Sequence, residues 1–130
     1  MSNDTSVATE IKTCFGVESM PALFDRMSPF EEYLGATWRR YQAVMLSGEI
    51  DRATKELMGF SVGIAKSNEY IIAWQRQQLR TAGLGPQEEA EAVAVADFFE
   101  GFDAFSLALH VDSDLRPRKL EAGDLSLIDR

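Results

Sequence analysis

Residues 52–85 read RATKELMGFSVGIAKSNEYIIAWQRQQLRTAGLG, and their spacing predicts two helices with marked ends. Asp51, just before the stretch, is a residue type that accepts hydrogen bonds from the free N–H groups of a first helical turn. After it, Leu57, Phe60 and Ile64 fall on one helical line, with Met58, Val62 and Ala65 on the line beside it. That double stripe predicts a largely buried helix. Ser67 and Asn68, two N-capping types in a row, mark the junction with the next helix. The latter carries Tyr70, Ile71, Trp74 and Leu79 and ends at Gly83. Residues 83–86, GLGP, break the chain. Pro86 with Glu88, Glu89 and Glu91 then opens a further helix, its acidic first turn suited to the helix dipole.

Working outward, Ser28, Pro29 and Glu31 have the spacing of an N-cap, a first helical position and a capping-box partner. They predict a helix from Ser28 with Leu34, Trp38, Tyr41, Val44 and Met45 on one stripe, closing at Gly48. Residues 1–27 are weakly patterned, with room for a short helix after Pro21. Downstream of Pro86, Val95, Phe98, Phe99, Phe102, Phe105 and Leu109 form a wide apolar stripe, and Gly101 within it marks a kink or a close helix crossing. After Val111 the pattern fades into a tail with a small apolar patch at Leu125, Leu127 and Ile128. No alternation typical of a strand hairpin occurs. The expected fold class is all-α, with a segment over 1–27, a helical domain over 28–111 and a tail over 112–130.

The 130 residues, 45% of them hydrophobic, suffice for one domain with a real core. Thirteen basic against 21 acidic residues leave a net charge of −8, which opposes binding to nucleic acid or to an anionic membrane surface. Neither an apolar run of membrane-spanning length nor a secretory leader is visible, so a cytoplasmic protein is expected. The single cysteine, Cys14, excludes an internal disulfide framework and a cysteine-based metal cluster. No metal or cofactor is expected. His110, the single histidine, has no cysteine or second histidine near it in sequence and reads as structural or exposed.

The stretch over 52–85 resembles the carboxymuconolactone decarboxylase and AhpD-like alkylhydroperoxidase superfamily. The resemblance rests on Lys-Glu-Leu at residues 55–57, a small and apolar helix after it, the Asn-Glu-Tyr junction at 68–70, and a helix closing in Gly-Leu before a Glu-rich start. It implies an AhpD-like helical domain that assembles as a homo-oligomer, a trimer or hexamer. Laid on that pattern, the C-x-x-C-x-x-x-H of the peroxidase branch falls on Asn68, Ile71 and Gln75. Both thiols and the imidazole are missing, so the dithiol route, which needs a thiolate and a resolving partner, is not expected. The decarboxylase branch keeps a histidine where this chain has Gln75, so that signature is broken too.

Glu56 matches the carboxylate of the family's proton relay and is the candidate catalytic residue. Asn68, Ile71, Gln75 and Trp74 are the candidate substrate contacts. Gly63, on the face of Glu56 and Phe60, would leave room for a ligand. On this reading a small, partly apolar molecule binds between helices, and any activity is decarboxylase- or lyase-like rather than redox. The plainer readings stand beside it: Glu56 paired with Arg52 four positions back, Asn68 a helix cap, Trp74 and Tyr70 core aromatics, Cys14 a small apolar side chain. They lead to a non-catalytic helical oligomer that serves as a binding or scaffold protein.

Overall fold

The computed structural model describes residues 3–115. Six α-helices and no strand occur among them: α1 (Asn3–Phe15), α2 (Ala22–Met27), α3 (Glu31–Met45), α4 (Arg52–Ala65), α5 (Glu69–Thr81) and α6 (Pro86–Ala108). The fold class is all-α. The expected patch at Leu125, Leu127 and Ile128 lies outside the described residues.

The junctions of the central stretch form by the chemistry its residue types dictate. The Asp51 carboxylate accepts from the Thr54 N–H at 2.9 Å, and the Asn68 side chain from the Ile71 N–H at 3.0 Å. Gly83 takes a φ of +86° after α5, the left-handed conformation a glycine enters without steric cost. Before Pro86, the Glu88 carboxylate reaches back to the Gly85 N–H at 2.8 Å.

The start of α3 differs from expectation. Phe30 precedes its first residue with no side-chain cap, and Ser28 instead closes α2, its hydroxyl 3.5 Å from the Phe24 carbonyl oxygen. The turn of α2 uses these residues before α3 can. At the other end, α3 stops at Met45, ahead of Gly48. The Val44 carbonyl in its last turn and the Ser47 carbonyl just past its end are held by the Lys55 ammonium from α4. A distant lysine thus does what local capping does elsewhere. Helix α1 has no counterpart in the sequence reading, because only Val7, Ile11, Cys14 and Phe15 of its residues join the core and polar residues dilute the period.

Two apolar clusters result. One unites Ile11 of α1, Phe24 of α2 and Leu34 and Trp38 of α3, with Phe15, Tyr41 and Trp74 packed on it. The other unites Phe60 of α4, Leu79 of α5 and Ala92 of α6, with Leu57, Ile64 and Ile72 around it. Only one of the two apolar lines of α4 is therefore buried. Met58 and Val62, expected inside, are 50% and 54% exposed. Along α6, Ala92 and Ala96 are buried, while every residue from Asp97 to Leu115 is exposed.

Candidate functional site

Helices α4 and α5 lie against each other because two glycines one turn apart on α4 permit it. A Cβ at Gly59 would stand 2.6 Å from the Gln75 amide nitrogen, and one at Gly63 would stand 2.8 Å from Ile71 Cγ2. Gly63 thus makes room for the neighbouring helix and not for a ligand, as Ile71 and Ile72 fill that space. Ile71 is a packing residue here.

Glu56 is 1% exposed and Gln75 7%. The Gln75 amide nitrogen donates to Glu56 Oε1 at 3.0 Å and to the Glu56 backbone oxygen at 2.9 Å. The second carboxylate oxygen, Oε2, accepts from Arg52 Nε at 2.7 Å. From there the guanidinium continues to Tyr41 Oη at 3.4 Å and to Gln78 Oε1 at 3.3 Å. One polar network so joins α3, α4 and α5, with Glu56 and Gln75 buried at its centre. A buried carboxylate is tolerated when opposite charge and donors compensate its lost hydration, and both are present.

Electrostatics extend the cluster to α1. Burial pushes the Cys14 thiol up from its ordinary value; Arg52 opposes this and Glu56 adds to it. A thiol so shifted stays protonated at neutral pH and is a poor nucleophile. The Tyr41 hydroxyl is pushed up to about 12 by burial first and the charge of Glu56 second, with Arg52 again opposing. It acts as a hydrogen-bonding group and not as an acid in the neutral range.

Of the residues singled out in the sequence, Glu56 and Gln75 come together. Asn68 is exposed and its side chain is engaged as the cap of α5. Trp74 turns to the other cluster, its ring 4.9 Å from that of Phe15 and 5.8 Å from that of Phe24. Tyr70 ties α2 to α5, its hydroxyl accepting from the Leu23 N–H at 3.0 Å. Tyr41 and Gln78 were not anticipated in the site. Gln78 lies one turn after Gln75 and was legible as its neighbour; Tyr41 and Cys14 arrive from other helices and carried no local signal. Among the described residues no group of three His, Cys, Asp or Glu side chains is placed to hold a metal ion, and no helix is long and apolar enough to cross a membrane.

Two open clefts border this network: one of about 230 Å³ whose walls include Phe15, Pro21, Trp74 and Gln78, and one of about 320 Å³ lined by Arg52 itself with Asp51 and Leu46. Gln78 connects the first to Arg52 and so to the Glu56 network.

The sequence matches the model of the carboxymuconolactone decarboxylase family over residues 31–114. No curated protein matches it. In three dimensions the chain is similar to the crystal structure of the alkylhydroperoxidase AhpD core from Rhodospirillum rubrum. The TM-score is 0.79 at 22% identity, over 85% of this chain and 82% of that one. Helices α1 and α2, which bring Cys14 and Phe15 to the centre, precede the segment matched by the family model.

Proposed function

The chain belongs to the carboxymuconolactone decarboxylase family, and on that footing we propose that it is a member without thiol redox chemistry, acting as a helical binding or scaffold protein. In this reading Glu56 clamps α4 to α5. The observation that carries it is the state of Glu56: 1% exposed, with one carboxylate oxygen engaged by Arg52 and the other by Gln75. A general base must come within hydrogen-bond reach of the proton it removes, and this carboxylate has given both oxygens to its neighbours. The positions where the resemblance places the peroxidase thiols are occupied by a helix cap and by an isoleucine packed on Gly63.

The test is direct. The purified protein is assayed with cumene hydroperoxide and dithiothreitol, and separately with a carboxymuconolactone. No turnover above buffer is expected in either assay. Turnover that disappears in Glu56→Gln or Cys14→Ser, with the fold intact by circular dichroism, refutes the proposal.

One observation favours a second reading, in which the protein binds or transforms a small, partly apolar molecule. Gln78 belongs both to the cleft beside Trp74 and to the Arg52–Glu56 network, so a ligand in that cleft would touch the network through one amide. Titration of small acids and lactones against tryptophan emission tests it; saturable quenching that Gln78→Leu abolishes supports it, and the absence of any quenching refutes it.

A further inference from the structure

Helix α6 leaves the bundle after Ala96, the last of its buried residues. Beyond it Phe98, Phe99, Phe102 and Phe105 are 57, 60, 54 and 66% exposed. At about 200 Å² per ring these four leave roughly 450–500 Å² of aromatic surface in water. Val95 and Leu109, also more than half exposed, extend the same stripe. A monomer's largest apolar patch is typically about 300–600 Å². A stable interface takes about 800 Å² from each partner, close to what this stripe and its surroundings offer.

The order of the residues says what covers the stripe. Its ends, Val95 and Leu109, are seven positions either side of Phe102. An antiparallel copy of α6 in that register sets Val95 against Leu109, Phe99 against Phe105, and Phe102 against itself. A sequence symmetric about one residue is what an isologous contact needs, since each surface must complement itself. Gly101 adds an independent observation. Among the described residues nothing lies within 4 Å of where its Cβ would be, so the missing side chain serves no packing among them, although glycine weakens a helix interior. A close approach by another helix gives it a use.

The geometry points to a two-fold dimer in which the α6 helices of two copies pack antiparallel about Phe102. Phe105 of each enters the other's cleft between α4 and α6, of about 460 Å³, whose apolar lining of Val62, Ala65, Val95, Ala96 and Phe99 is shared with Lys66, Glu100 and Asp103. No residue of this surface belongs to the hydrogen-bond network of Glu56, and the inference stands whether or not the proposed function does.

Sedimentation equilibrium on the full chain, from 1 to 100 µM, tests it. The expected wild-type species is a dimer or an even multiple of it. Phe105→Asp and Gly101→Leu each weaken association at least 100-fold, while Phe30→Asp, at an exposed ring before α3 that stacks on Tyr33, leaves it unchanged. Circular dichroism confirms that each variant stays helical, as expected because Phe105 is 66% exposed and a Cβ at Gly101 meets nothing among the described residues. A wild-type monomer at 100 µM overturns the inference and leaves residues 116–130 as the candidate cover. A trimer with no even-numbered species overturns the two-fold, and so does assembly that survives both α6 variants.

Discussion

Deleting one half of the Arg52–Glu56 pair does not have the same effect as deleting the other, and the difference follows from burial. The arginine side chain is 37% exposed and the glutamate 1%. In Glu56→Gln the guanidinium turns to water and keeps Tyr41 and Gln78 within reach, so the loss is about 1–2 kcal/mol, that of a charge-assisted hydrogen bond. In Arg52→Met a carboxylate is left in the interior with only the Gln75 amide. Arg52→Met therefore loses about 3–5 kcal/mol, the range found when one partner of a buried pair is removed and the other is left uncompensated. Urea unfolding followed at 222 nm at pH 7, at one protein concentration, measures both. Equal losses in the two variants would refute the account of a buried carboxylate held by one partly exposed cation.

Other outcomes are fixed by particular contacts. Gly59→Ala drives a methyl into the Gln75 amide, 2.6 Å from its ideal position, and lowers stability by about 1–3 kcal/mol in the same urea assay. Lys55→Met frees the Val44 and Ser47 carbonyls at the end of α3 and costs about 1–2 kcal/mol, visible as a lowered thermal midpoint. Glu89 is held below the usual carboxylate range by Arg76 and Arg80, Asp51 by the Thr54 N–H, and Glu88 by the Gly85 N–H. Groups shifted down stabilise the fold above about pH 4.3 and lose that contribution as pH falls through their folded values. The wild type is therefore expected to lose thermal stability below pH 4 more steeply than Glu89→Gln, and parallel curves would contradict it.

Much of this was legible in the chain because the deciding signals are local. Asp51, Asn68 and Gly83 each act within one turn of their own position, so residue type and spacing sufficed. The pairing of Glu56 with Gln75 was legible through the family resemblance, and Arg52 through its i,i+4 distance. What could not be read depends on which elements meet. Lys55 caps a helix that ended eight or more residues before it, Tyr41 and Cys14 enter from α3 and α1, and Gly63 proved to accommodate Ile71 because α5 lies over it. The α3 start was misread because Ser28 had two helices competing for it, and the earlier one took it. The double stripe on α4 was real as sequence, but among the described residues only one line is buried; the other, with Met58 and Val62, is half exposed.

The placement of the two tryptophans governs what light reports about this protein. Trp38 is 2% exposed and donates from its indole nitrogen to Glu10 of α1 at 3.0 Å. Trp74 rests on Phe15 and Phe24, from α1 and the α2 segment. Both indoles therefore sit where α1 and α2 dock, in the first apolar cluster and not in the one that includes Ala92 of α6. Intrinsic emission is a gauge of that docking, whereas far-ultraviolet ellipticity sums all six helices. A denaturation curve recorded by emission dates the departure of the N-terminal helices, and its coincidence with the ellipticity curve is the criterion for the two apolar clusters melting as a single cooperative unit.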